Sequence, residues 1–236
     1  KVDNAIILAA GFGSRFVPLT YEKPKGLLEV YGKPMLERQL EQLIEKGITE
    51  IYIVVGYKKE MFDYLIDKYG VKLIYNPDYS TKNNLFSLLC AREYLKNSYI
   101  LMADNWIENN IFNAYEPHSW FSCPYIKGPT TEWCVSKSDK NGRIEQITIG
   151  GEDSHVILGP AFFTKSFSDT FVKLMDKYAK DPLSVDFYWE HVLKDRLDIL
   201  PMYMNIQTGN VHEFENLEEL RQYDKSYEND TKCHIV

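Results

Sequence analysis

Residues Ile6–Lys25, I-I-L-A-A-G-F-G-S-R-F-V-P-L-T-Y-E-K-P-K, decide how the rest of the chain is read. The uninterrupted apolar run Ala5–Ala10 has the length and composition of a parallel strand buried on both faces. It stops at Gly11, and Gly13 follows two residues later. Glycine tolerates positive φ and close approach to a ligand, so successive N–H groups there can converge on an anion. Arg15, Lys23 and Lys25 then supply three cations within the same short segment. A buried strand ending in a small-residue loop followed by spaced cations is a design for binding polyphosphate. Two familiar phosphate loops do not fit it. The dinucleotide fingerprint needs a third glycine where Phe16 stands. The P-loop needs a wider glycine spacing and a following Gly-Lys-Ser/Thr, and neither is present.

Leu8–Lys25 does match, in order, the pattern L-A-A-G-x-G-x-R-x-x-P-L-T…P-K of the sugar-nucleotidyltransferase-type enzymes. The segments V-Y-G-K-P-M-L (Val30–Leu36) and K-G-I-T-E-I-Y-I-V-V-G-Y (Lys46–Tyr57) are similar to that family as well. Over nearly its whole length the chain most resembles the bacterial CTP:phosphocholine cytidylyltransferases, with 2-aminoethylphosphonate cytidylyltransferases as close relatives. That resemblance implies a Rossmann-like, mostly parallel central sheet flanked by helices, with an antiparallel acceptor-side portion. It also implies a cytidylyl transfer from CTP to a small amine-bearing phosphate, assisted by Mg²⁺.

Composition is that of an ordinary soluble globular chain. Of 236 residues, 44% are apolar and 26% charged, enough chain to bury a substantial core as one large domain. No apolar run approaches the ~18 residues of a membrane span. No basic segment followed by a short apolar stretch marks a secretory leader. Cys90, Cys123, Cys134 and Cys233 are widely separated and form no C-x-x-C pair, so free thiols in a cytoplasmic setting are expected. The net charge of −7 argues against a nucleic-acid partner. An anionic nucleotide must then be held by local cations and metal, not by the global field.

Along the chain, Met35, Leu36, Leu40, Leu43 and Ile44 fall at helical spacing, and Gly47 closes that helix. Ile51–Val55, Val71–Tyr75 and Tyr99–Met102 read as buried strands, separated by helices near residues 58–68 and 84–95, with a turn at Asn76-Pro77-Asp78. Such alternation predicts βαβ units whose ligands sit at the carboxyl ends of the strands. Beyond Trp120 the rhythm changes. Ser119–Tyr125, Trp133–Lys137, Arg143–Ile149 and Val156–Phe163 are strand-like, with helices expected near 167–179, 185–194 and 217–223. Residues 1–225 are therefore expected to be one domain, with a nucleotide half of about 1–115 and an acceptor half of about 116–225. The polar stretch 226–236 reads as a tail or linker. With Lys1 in place of an initiating Met, it suggests a piece of a longer chain with a fused partner domain.

Asp104 follows a strand directly, where a carboxylate can reach a triphosphate-bound Mg²⁺ or cap a helix. The resemblance assigns it the metal, favours Glu213 as a second ligand, and leaves Glu215, two residues on, as a weaker candidate. It further assigns Lys25 to the transferred α-phosphate and Arg15 to the leaving pyrophosphate. The backbone Leu8, Ala9, Ala10, Gly11, Phe12 and Gly13 falls to the nucleotide. Asn83 or Asn84 has an amide able to read a cytosine edge or to cap the helix starting there. For the acceptor, the family keeps aromatic residues matching Trp133 and Tyr188 and an acid matching Glu190, and Asp186 lies in the same cluster. Aromatic faces with nearby negative charge hold an ammonium group. If 185–194 is helical throughout, however, Tyr188 points away from the face shared by Asp186 and Glu190, and simple core packing of the aromatics is the alternative. A sugar-1-phosphate nucleotidyltransferase and a catalytically inactive binding module remain as further alternatives.

Overall fold

Asn4–Ala9 forms the first strand, β1, and all six of its residues are buried. In this computed structural model, which describes residues 1–206 and 211–228, β1 is the centre of the main sheet. A loop and a short helix α1 (Leu19–Glu22) lead to the small hairpin β2 (Glu29–Val30) and β3 (Lys33–Pro34). Helix α2 (Met35–Glu45) then presents Leu36, Leu40 and Leu43 to the sheet and leads into β4 (Ile51–Val55). The expected helix near 58–68 divides into a 3-10 turn (Lys59–Phe62) and α3 (Tyr64–Tyr69). Strand β5 (Lys72–Tyr75), helix α4 (Asn84–Cys90) and strand β6 (Ser98–Met102) follow. β4 and β6 flank β1 in parallel register and β5 extends the block outward, so the first hundred residues are the predicted βαβ array.

The second half adds β7 (Asn105–Ile107), β8 (Trp120–Ser122), β9 (Tyr125–Ser138), β10 (Ile144–His155) and β11 (Ala161–Phe163). Helices α5 (Lys165–Tyr178) and α6 (Trp189–Asp195), strands β12 (Tyr203–Asn205) and β13 (Val211–Glu213), and helix α7 (Leu217–Tyr223) complete it. The main sheet runs β12-β8-β11-β6-β1-β4-β5, with β11 antiparallel to both of its neighbours. Two expectations need correction. β9 and β10 are not part of this sheet but form a long ribbon of their own. The strand expected to begin at Trp133 starts at Tyr125, and the one expected to end at Ile149 runs to His155, with register shifts inside both. The helix expected near 185–194 is a 3-10 turn (Pro182–Asp186), then extended Phe187 and Tyr188, and only then α6.

Alternation along β1 supplies both faces of the core. Ile6 and Leu8 pack with Leu85, Phe163, Phe171 and Trp189, while Ala5 and Ile7 pack with Leu36, Leu40 and Phe62. A third apolar cluster joins Phe16, in the loop after β1, to Met35, Trp106, Phe214 and Leu220. It fastens the C-terminal segment across the nucleotide loop. Lys225–Glu228 form a 3-10 turn, and the Tyr227 hydroxyl donates to the Glu29 carbonyl at 2.6 Å. Residues 229–236, Cys233 and Asn210 lie outside the described residues.

Candidate active site

The carboxyl end of β1 opens into a loop in which Gly13 adopts φ 69° and caps a 3-10 turn, Ser14–Phe16. A second turn, Lys25–Leu27, returns against the end of β6. Contact there is so close that a Cβ on Gly26 would lie 2.7 Å from the Ala103 Cβ. This approach brings Lys25 to Asp104: the ammonium donates to Oδ2 at 2.6 Å and lies 4.6 Å from the Phe16 ring centre. Leu8, Ala9, Gly11, Gly13, Arg15, Lys25 and Asp104 share a cavity of about 160 Å³. Ala10 and Phe12 do not line it. The Ala10 carbonyl accepts from the Tyr57 N–H, and the Phe12 ring packs edge-on against Tyr57.

β7 and β13 pair so that Glu213 stands opposite Asn105, one residue from Asp104. The Glu213 pKa is pushed up to about 8, first by burial and then by the negative charge of Asp104, against which Lys25 works. Asp104 Oδ1 is buried without a hydrogen-bond partner. Two carboxylates that share one lysine, one with an orphaned oxygen, suit a divalent cation. Among the described residues no three His, Cys, Asp or Glu side chains form a closed metal cage. An ion here would have to complete its shell with substrate oxygens or water, as Mg²⁺ usually does. Glu215, the weaker candidate, pairs its carboxylate with the Arg15 guanidinium.

A larger cavity of about 410 Å³ adjoins the first, sharing Arg15, Met102 and Asp104 as walls. Trp133, Tyr188 and Glu190 line it together. The conflict foreseen for a continuous helix disappears because Tyr188 is the extended N-cap of α6 and Glu190 lies in its first turn. The Trp133 and Tyr188 rings meet edge-on at 83°, 6.5 Å apart, and His191 packs on Trp133 at 4.7 Å. Trp189 is core, stacked on Phe121. Burial pushes the Glu190 carboxyl up to about 7, and its Oε2 is buried without a partner.

Three predicted residues fall outside these roles. Asp186 ends the 3-10 turn with an exposed side chain, and only its backbone carbonyl is used, accepting from Asn83 Nδ2 at 3.2 Å. The Asn83 side chain is spent on that contact and on capping α4. Asn84 Oδ1 accepts from the Trp189 N–H at 2.8 Å, and its side chain hydrogen-bonds Glu190. The capping role holds for Asn83, and both asparagines tie α4 to residues 186–189. Sequence reasoning missed Glu132, which lines the larger cavity beside Trp133. Its signal was the paired glycines Gly150-Gly151 across the ribbon from T-T-E-W.

A parallel-sheet loop with Lys25 and Arg15 opposite Asp104, beside an acceptor cavity, defines a nucleotidyl-transfer site. Residues 4–148 match the nucleotidyl transferase family, and the chain belongs to it. Among curated relatives, the choline-phosphate cytidylyltransferase of Streptococcus pneumoniae is 36% identical over 96% of this chain and 99% of its own. The 2-aminoethylphosphonate cytidylyltransferase of Lancefieldella rimae is 32% identical over 95% of this chain and 93% of its own. The solved structure of the Streptococcus pneumoniae CTP:phosphocholine cytidylyltransferase superposes with a TM-score of 0.91, covering 96% of this chain and 99% of that one. A Bacillus anthracis structure described as a putative glucose-1-phosphate thymidylyltransferase shares the fold, with a TM-score of 0.77 at 18% identity over 98% of each chain. The near-complete match to the pneumococcal enzyme gives no support for a fused partner domain. Among the described residues no helix is long and apolar enough to cross a membrane.

Proposed function

We propose that this nucleotidyltransferase transfers CMP from CTP to phosphocholine, releasing pyrophosphate. An acceptor phosphate oxygen attacks the α-phosphorus of CTP, and the bond to the β-phosphate oxygen breaks. A phosphate monoester is largely dianionic at pH 7, so no general base is required. The obstacle is repulsion between two polyanions, which makes positioning and charge neutralisation the main sources of rate. Lys25 serves the α-phosphate and Arg15 the departing pyrophosphate. Asp104 and Glu213 would hold Mg²⁺, which when bound neutralises triphosphate charge. Trp133, Tyr188 and Glu190 receive the acceptor's cation.

The observation that carries the reading is the second cavity. An aromatic corner with a carboxylate that keeps one buried oxygen unpartnered adjoins the Lys25–Asp104 pair. That chemistry suits a cation, where a sugar would call for many hydrogen-bonding groups. The names of the two near-full-length relatives support cytidylyl transfer and leave 2-aminoethylphosphonate as the second acceptor. A cytoplasmic location accords with the unpaired Cys90, Cys123 and Cys134. The test is pyrophosphate release with CTP or UTP against phosphocholine, 2-aminoethylphosphonate and glucose-1-phosphate. Turnover is expected with CTP and the amine acceptors. A preference for glucose-1-phosphate would overturn the proposal.

A further inference from the structure

Adjacent residues of a regular strand point to opposite faces, yet Glu132 and Trp133 both line the acceptor cavity. The ribbon explains this. Trp133 pairs with Ile149 and Thr130 with Gly151, so two residues of β9 stand opposite one of β10. Such a bulge turns one side chain out of the alternation. This one is fixed by local contacts. The Glu132 N–H donates to Thr130 Oγ1 at 3.1 Å, and a Cβ on Gly151 would meet Cys134 Sγ at 2.9 Å. The result is a half-buried carboxylate aimed into the cavity. Among the described residues none donates a hydrogen bond or forms an ion pair to it. Arg15 faces it with opposite charge, and Glu215 and Glu219 with like charge.

An acidic wall alone would mean little. Here the buried, unpartnered Glu190 Oε2 lines the same cavity from α6. The Glu132 carboxylate and the free Oε2 of Glu190, from separate elements, thus border a space already walled by Trp133 and Tyr188. Aromatic faces attract any ammonium. A trimethylammonium group has no N–H and gains only diffuse attraction from a carboxylate. A primary ammonium carries three donors and needs acceptors at hydrogen-bond distance. One acceptor is available at Glu190, and the bulge supplies another.

We propose, resting on the cytidylyl-transfer reading above, that Glu132 is the specificity-determining residue of the acceptor cavity. Its carboxylate accepts an N–H from a primary ammonium, so that the site takes primary-amine phosphates alongside quaternary ones. The amine itself does not react. The cleanest pair of probes is phosphocholine and O-phosphoethanolamine, which share the same phosphate and differ only in three N-methyl groups. With saturating CTP and Mg²⁺, kcat/KM is measured for both in the wild type, Glu132→Gln and Glu132→Asp, with melting temperature as the check on folding. Glu132→Gln should lower kcat/KM for O-phosphoethanolamine by about 10-fold or more, the scale of a lost hydrogen bond to a charged group. It should lower that for phosphocholine by less than about 3-fold and leave the KM for CTP unchanged. Glu132→Asp, which keeps the charge on a shorter arm, should fall between wild type and Gln for the primary amine. Equal losses for both acceptors would overturn the proposal, as would a raised KM for CTP, which would place Glu132 with Arg15. A wild type that turns over phosphocholine but not O-phosphoethanolamine would also overturn it and leave the cytidylyl-transfer reading intact. Turnover with neither amine, but with glucose-1-phosphate, would remove that reading itself.

Discussion

Glu190 sets stability against binding. Its carboxyl titrates near 7 in the folded chain, against an ordinary value of 4.5, because burial disfavours the charged form. Between those pH values the folded chain keeps a proton that the unfolded chain has released. The stabilisation is therefore complete below pH 4.5 and is lost as pH rises through 7. Glu190→Gln should raise the stability of the ligand-free protein at pH 8 by about 1–3 kcal/mol, with little effect at pH 4.5, while weakening the acceptor. Thermal melts at the two pH values check this, and equal effects at both would show that ionisation is not the cause. Lys25 offers the complementary test. Lys25→Ala should lower kcat by roughly 10²-fold, as expected when one charged transition-state contact (~3 kcal/mol) is removed. A change confined to KM would make it a uniform binding contact. Lys25 and Asp104 were legible because Lys25 closes the contiguous Leu8–Lys25 pattern and Asp104 comes just after the end of β6. For Asn83 the capping alternative is the one seen, while the other partners of the two asparagines, the Asp186 carbonyl and the Trp189 N–H, could not be read because they come from a segment about a hundred residues later.

At the scale of elements, the site depends on how tightly the Lys25–Leu27 turn sits on the end of β6. Gly26→Ala would place a methyl 2.7 Å from the Ala103 Cβ, so turn and strand must separate. The expected cost is about 1–3 kcal/mol of stability, typical of overpacking. Because Lys25 rides on that turn, kcat should fall more steeply than stability, measured by single-turnover kinetics well below the melting temperature. An unchanged kcat would mean that the turn does not set the Lys25 position. The parallel block β6-β1-β4-β5 was readable from apolar runs alternating with helical spacing, the signal being plainest for β1, β4 and β6, which are buried on both faces. The ribbon β9–β10 was not. Half-exposed strands with bulges show neither a continuous apolar run nor a steady period of two, so only pieces of them, Trp133–Lys137 and Arg143–Ile149, read as strands. α6 misled in the opposite way. Residues 185–194 read as one helix, but the extended Phe187 and Tyr188 are set by contacts from α4, where the Leu85 N–H donates to the Phe187 carbonyl.

For the molecule as a whole, the net charge of −7 opposes the approach of a triphosphate, and the two cations assigned to it are already paired. Lys25 is held by Asp104 in a mostly buried contact, and Arg15 by Glu215 in a more exposed one. The exposed pair contributes little, whereas the first competes directly with the nucleotide. A divalent cation on Asp104 would free Lys25 for phosphate, which couples the two binding events, and such coupling is reciprocal. Asp104→Asn separates the two. With no carboxylate at Asp104, turnover should fall by at least about 10²-fold, because the triphosphate charge is left uncompensated. Yet CTP binding measured by calorimetry in EDTA should tighten by about fivefold or more, since Lys25 no longer has a competing partner. Added Mg²⁺ should then strengthen CTP binding less than it does in the wild type. Were the metal-free affinity of Asp104→Asn unchanged or weaker, the Lys25–Asp104 pair would not be in competition with the nucleotide, and the two ligands would bind this chain independently.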